Sequence, residues 1–255
     1  MVSEEVEQIK IATDLDGVVL KTDALGSLEA IAESLKRNDV PIRMADVGDV
    51  SKRDVTEASV VKENEPLHGV ILGFNVKVLP DAEEEAKNRD IPIFNHKTIY
   101  NLIDDYLQWM KKEEETQLGE EFDRLVKPAK VKFLPGYVFR KAKPAVFGVE
   151  VLAGTIKPKT TLVKKDGRNI GEIMQIQDKG EAVSEANSGM QVAVSVTKTV
   201  VGRNIHEGEV FYVRVPEAHA KVLLTKFQER LTAEEIEALN EFIEVMRLES
   251  PFWAV

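Results

Sequence analysis

Hydrophobic positions fall into successive regimes along the chain. Up to about residue 96, short β-branched runs alternate with segments whose apolar residues recur at helical spacing, which is βα repetition. Gly17–Lys21, Pro41–Val47, Gly69–Phe74 and Ile91–Phe94 are the expected strands. Ser27 is the expected N-cap of a helix over Leu28–Arg37, which carries Leu28, Ile31 and Leu35 on one face. Ser51 and Asp54 have capping-box spacing and open a helix to about Lys62, and Pro80 with Asp81 starts another. Parallel pairing through right-handed crossovers is the natural architecture for such a series.

From Thr98 to Val126 no proline interrupts the chain, and Ile99, Leu102, Ile103, Tyr106 and Met110 recur at helical spacing. The apolar stripe then thins, so the helix is expected to leave the first domain and cross solvent, over ~40 Å if Gly119 does not break it. After Pro128 the pattern changes to short strands punctuated by glycine: Ala145–Leu152, Thr161–Lys164, Gly171–Ile176, Gln191–Val196 and Glu209–Val215. These predict a small antiparallel barrel. A helical hairpin ends the chain, with Glu217–Leu231 amphipathic and Thr232 and Glu235 forming a capping box for a helix to about Leu248. The expected organisation is an α/β domain over 1–97, a connecting helix over 98–127, a β-barrel over 128–215 and the hairpin over 216–255.

Charge sharpens this division. Residues 1–127 hold 16 Lys and Arg against 28 Asp and Glu, residues 128–214 hold 14 against 8, and the remainder 4 against 8. A basic module between acidic ones is either a footprint for phosphates or a solvated surface. Cysteine is absent, which excludes disulfides and thiolate chemistry and fits a reducing compartment such as the cytoplasm. The N-terminus MVSEEVEQIK has no apolar core of a signal peptide, and no run is long enough to cross a bilayer, so no membrane role is expected.

The sharpest catalytic signal is Asp14-Leu15-Asp16-Gly17-Val18, which resembles the first motif of haloacid-dehalogenase-type phosphatases. There the first Asp attacks phosphorus and the second protonates the leaving group. The accompanying strand-terminal Ser or Thr and Lys are not found, and the competing reading is a turn before the first strand. No Gly-Lys dipeptide and no G-x-G occur, so neither a Walker A loop nor a dinucleotide fingerprint is present. His68, His96, His206 and His219 lack metal-ligand spacing. In the barrel, Arg140, Lys141, Lys143, Lys157, Lys159, Lys164, Lys165 and Arg168 are candidate phosphate contacts. Tyr137 and Phe139 either stack on bases or form one inward face of a strand. In the hairpin, Leu223, Leu224, Phe227, Leu231, Ile236, Leu239, Phe242, Ile243 and Met246 exceed what two helices need to pack on each other. They line a groove for a partner peptide or dock the hairpin on the barrel.

Six segments resemble one family: GVVLKTDALGSLEA (17–30), GVILGFNVKV (69–78), IYNLIDDYL (99–107), PGYVFRKAKPAVFGVEVLAGTIKP (135–158), TVVGRNIHEGE (199–209) and the terminal PFW (251–253). The family is the translation initiation GTPase called factor 5B in archaea and eukaryotes and factor 2 in bacteria, and the form is similar to the archaeal type. The resemblance implies its C-terminal half, domains III and IV: an α/β/α sandwich, a long helix, and a barrel with two appended helices. It implies a non-catalytic fragment without cofactor, GTP and magnesium belonging to the full-length factor, and a cytoplasmic monomer. The implied partners are the ribosomal subunits, the aminoacylated acceptor end of initiator tRNA at the barrel, and the C-terminal tail of initiation factor 1A at the terminal helices. Carried over by motif, Gly148, Val149, Lys179, Gly189 and Gln191 are expected near the tRNA end.

Overall fold

The computed structural model describes residues 14–254. The chain forms two compact units, Met1–Gly119 and Glu120–Val255. The acidic N-terminal decapeptide lies outside the described residues.

In the first unit, β1 (Val18–Thr22), β2 (Ile42–Val47), β3 (Ile71–Phe74) and β4 (Ile93–His96) form a parallel sheet in the order β2-β1-β3-β4. Alternate side chains of each strand point to opposite faces. Val18, Leu20, Val70 and Leu72 pack with Leu28, Ile31 and Leu35 of α1 (Leu25–Arg37) and with Leu102, Ile103 and Tyr106 of α4 (Ile99–Arg124). Val19 and Ile71 face the other way, onto Val55 and Ala58 of α2 (Lys52–Asn64) and Ala82 and Ala86 of α3 (Pro80–Arg89). The result is the α/β/α sandwich. Lys21, 5% exposed, is buried at the end of β1 beside Asp46 and Asp54, at 3.3 and 3.8 Å. Asp54 also accepts from the Ser51 backbone N–H at 2.8 Å, so the predicted cap at Ser51 is also part of an ion cluster.

One expectation is corrected here. Helix α1 starts at Leu25 after an extended Ala24, so Ser27 lies in its first turn and is not the N-cap. The apolar stripe of helix α4 belongs to the α/β unit: Leu102, Ile103 and Tyr106 are in that unit's core, with Leu107, Trp109 and Met110 packed against it. The helix runs unbroken through Gly119 to Arg124.

The second unit is a closed barrel of β5 (Ala129–Arg140), β6 (Ala145–Ile156), β7 (Thr161–Lys164), β8 (Asn169–Asp178), β11 (Gln191–Val196) and β12 (Val210–Val213). The order is β6-β11-β8-β7-β12-β5, closed by β5 on β6, while the short β9 (Glu181–Val183) and β10 (Ala186–Asn187) attach to β8 and β6. Closure leaves the six strands no free edge among themselves. Phe133, Phe147 and Phe211 fill the interior together with Val131, Val149, Val151, Ile173, Ile176, Val194 and Val196. Phe133 and Phe147 lie 4.5 Å apart by ring centroid.

The segment expected as one helix over Glu217–Leu231 is α5 (Glu217–Thr225) followed by a 3-10 turn at Gln228–Arg230. The predicted capping box opens α6 (Ala233–Arg247): Thr232 N–H donates to Glu235 at 2.9 Å, and Glu235 N–H donates to Thr232 at 3.2 Å. Helix α6 packs on β5 and β6. Glu241 fastens it there, accepting from Lys130 at 2.8 Å and from the Tyr212 hydroxyl at 2.7 Å. Burial alone would raise the Glu241 carboxyl, but Lys130 and Tyr212 hold it below the usual glutamate value. The same burial, with Glu241 alongside, raises the Tyr212 phenol and keeps it a donor.

Candidate nucleic-acid interface

The outer face of the barrel carries one place where aromatic, amide and cationic groups converge. It is built from an irregularity in β5. Phe133 pairs with Val149 and Val138 with Phe147, so the β5 residues between them bulge out of register with β6. Gly136 makes the turn at φ +82°, a conformation that favours glycine, and its N–H donates to Glu207 at 2.8 Å. Emerging from this bulge, Tyr137 and Phe139 stand outward, 54% and 64% exposed. The reading of these two rings as an inward strand face is therefore incorrect: Phe133 faces the core, and the bulge re-aims the residues after it.

Beneath Tyr137 lies Gly148. A Cβ there would sit 2.7 Å from the Tyr137 Cβ, so only glycine lets the ring lie against β6. Around the two rings, Leu134, Gly148, Gln177, Lys179, Gly180, Gln191, Val192 and Ala193 line a hollow of ≈360 Å³. A smaller one of ≈120 Å³ is bounded by Arg140, Val146, Gln175, Gln177, Ala193 and Ser195 and shares Gln177 and Ala193 with the first. This face offers two exposed rings for stacking, amides and a hydroxyl for hydrogen bonds, and Lys179 and Arg140 for negative charge. No carboxylate and no histidine is among the residues lining the two hollows.

Of the five residues expected near the tRNA end, the structure brings Gly148, Lys179 and Gln191 together in this hollow. Val149 is fully buried in the barrel core and presents no side chain to a ligand. Gly189 lies in the turn before β11, where its N–H donates to Val151 at 2.8 Å, and it does not line the hollow. Gln175, Gln177 and Ser195 were not singled out from the sequence, although their alternation with buried Ile176, Val194 and Val196 marks them as the outer face of their strands. Several of the barrel cations are already engaged. Lys164, 13% exposed at its side chain, pairs with Glu209 at 2.8 Å, Lys157 with Glu185 at 3.1 Å, and Arg168 with Asp166 at 2.5 Å.

The hairpin groove needs a larger correction. Leu223, Phe227, Leu231, Leu239, Phe242 and Ile243 are all buried, so their apolar surface is already spent on docking. Only Leu224, Ile236 and Met246 keep partial exposure. The terminal Trp253 adds to the dock, edge-on to Phe242 with centroids 5.4 Å apart, and Arg247 donates to its carbonyl at 3.0 Å.

The phosphatase reading is not favoured. Asp14 and Asp16 are exposed in the turn preceding β1, at the N-terminal end of a parallel strand. Ligand crevices in such sheets open at the carboxyl ends. Asp104 and Asp105 sit within α4, Asp105 being engaged with His96 at 2.9 Å. Among the described residues no group of three His, Asp or Glu side chains is arranged to hold a metal ion, and no helix is long and apolar enough to cross a membrane.

The barrel region, residues 127–212, matches the family model for elongation factor Tu domain 4, which places the chain among proteins of the translation-factor type. Residues 2–107 match the model for translation-initiation factor 2, and the chain belongs to that family. It is 51% identical over its whole length to the probable translation initiation factor IF-2 of Hyperthermus butylicus and 49% identical to that of Ignicoccus hospitalis, in each case spanning 42% of the relative's own length. The crystal structure of GDP-bound aIF5B from Aeropyrum pernix is similar, with 43% identity and a TM-score of 0.58 over 98% of this chain and 42% of that one.

Proposed function

We propose that this chain supplies the tRNA-engaging part of an initiation factor, its barrel receiving the aminoacylated acceptor end of initiator tRNA in the hollow under Tyr137 and Phe139. The observation that carries this reading is the convergence of two exposed rings, a glycine floor, a row of neutral amides and Lys179 on one barrel face. Rings give sequence-tolerant stacking to a single-stranded terminus, amides hydrogen-bond an esterified amino acid, and Lys179 neutralises a backbone phosphate of the strand leading to it. In this reading, GTP hydrolysis with its magnesium belongs to the rest of the full-length factor, which acts in the cytoplasm to support ribosomal subunit joining. The tail of initiation factor 1A is assigned to the part of the hairpin surface that packing leaves open, at Leu224, Ile236 and Met246.

The test is a titration of the chain with initiator tRNA, aminoacylated and deacylated, at several salt concentrations. The aminoacylated form is expected to bind roughly tenfold or more tightly, about 1.4 kcal/mol of discrimination from hydrogen bonds that a bare ribose cannot make. Affinity for both forms should fall with salt. Equal affinity for the two forms would remove the aminoacyl end from the hollow.

A further inference from the structure

Away from the aromatic hollow, the barrel carries a second surface with a different chemistry. The β6–β7 turn and the chain just after β12 bound a hollow of ≈350 Å³ lined by Val126, Lys159, Thr160, Thr161, Arg214 and Pro216. Thr161 is also a wall of a larger one of ≈580 Å³ lined further by Asn169, Ile170, Gly171, Glu172, Thr197 and Lys198. Thr161 is the residue the two hollows share, and together they are called the trough. Its cations are Lys159, Arg214 and Lys198, all exposed. Among the described residues none of the three has a carboxylate within ion-pair distance, unlike Lys157, Lys164 and Arg168 on the same barrel. Glu172 is the one acid in the lining, so positive charge predominates.

The backbone adds an independent sign. Lys159 and Lys198 are both left-handed, at φ +68° and +56°. That conformation costs a residue with a Cβ roughly 1–2 kcal/mol, and glycine or asparagine would relieve the cost at a turn. Lysine at both positions keeps a cation at each hollow at the expense of stability. Such strain fits a surface used for binding. Threonine hydroxyls and Asn169 between the cations supply neutral donors of the kind that accompany Lys and Arg on phosphate oxygens.

We infer that this trough is a second RNA contact, taking the sugar-phosphate backbone of a helical segment without reading its bases or its end. It contains no aromatic side chain to stack a free base, and its cations are divided between the two hollows, Lys159 and Arg214 in one and Lys198 in the other. It does not depend on the assignment of the hollow under Tyr137.

The discriminating probe is a short blunt-ended RNA duplex, which has neither an aminoacyl group nor a single-stranded terminus. Its affinity for the 255-residue chain would be measured across a salt series. The triple variant Lys159→Gln, Lys198→Gln, Arg214→Gln should reduce the slope of log affinity against log salt by about 1 per lost contact, about 3 in all, and weaken binding roughly tenfold or more at moderate salt. A charge-matched control, Lys87→Gln, Lys111→Gln, Lys112→Gln in the first unit, should leave slope and affinity close to the parent. An unchanged slope in the trough variant would overturn the inference, and so would an equal loss in the control, which would make the attraction a matter of overall charge. Circular dichroism of each variant verifies that the barrel is intact, and Lys159→Arg, which keeps the charge at that turn, should bind as the parent does.

Discussion

Gly148→Val is expected to weaken binding of aminoacylated initiator tRNA about 10–100-fold, the equivalent of one stacked base at ~1–3 kcal/mol. Gly148 sits on the outer face of β6, buried only because Tyr137 lies on it, and the new Cβ would stand 2.7 Å from the Tyr137 Cβ. Both Cβ atoms are fixed by their backbones, so the bulged segment of β5 must shift, the Tyr137 ring moves with it, and the hollow loses its wall. The barrel interior is untouched, because Phe147 and Val149 on either side point inward. A double-variant comparison separates this mechanism from general damage. Once Tyr137→Gly has removed the whole side chain, Cβ included, adding Gly148→Val should cost little more. Additive losses would mean that Gly148 acts through something other than Tyr137.

Leu239→Asp should lower stability by about 3–5 kcal/mol, which makes it a packing variant rather than a probe of partner binding. Leu239 is fully buried in the docked hairpin, and an ionised carboxylate there has no partner. The change should detach α6 and release Trp253 from Phe242, which near-UV circular dichroism and the midpoint of urea unfolding both detect. Leu224→Asp, at a partly exposed position, should leave the midpoint within about 1 kcal/mol of the parent. If a tail peptide of initiation factor 1A binds the hairpin, this second variant should abolish that binding. An unfolding midpoint for Leu239→Asp equal to the parent's would contradict the packing account.

The two variants mark the limit of what the sequence discloses. The spacing of Leu223, Phe227, Leu239 and Phe242 identifies an apolar stripe, but a stripe that binds a partner and one that packs on its own barrel have the same period. Only the structure shows α6 lying on β5 and β6 with Glu241 held by Lys130 and Tyr212. The α/β sheet was far more legible, because each buried apolar run, such as Val18-Val19-Leu20, is short, bounded by turn residues and followed by a helical period. Strand β5 was largely missed: Leu134-Pro135-Gly136 reads as a break, yet the chain bulges there and resumes pairing at Val138. That bulge also turns Tyr137 and Phe139 outward against the simple alternation rule. The candidate site was legible only in part. Motif resemblance pointed to Gly148, Lys179 and Gln191, but not to the rings that cover them. The same motif match gave Val149, although in a strand the residue after Gly148 faces the opposite side.

The most direct test of the central claim is a backbone amide chemical-shift map of the chain with an aminoacylated acceptor-stem minihelix, repeated with the same minihelix deacylated. The proposal predicts that the difference between the two maps is confined to the outer-face residues around Tyr137, Gly148, Gln177, Lys179 and Gln191. Differences centred instead on the hairpin, the Lys159–Lys198 trough or the α/β unit, with the hollow silent, would contradict it.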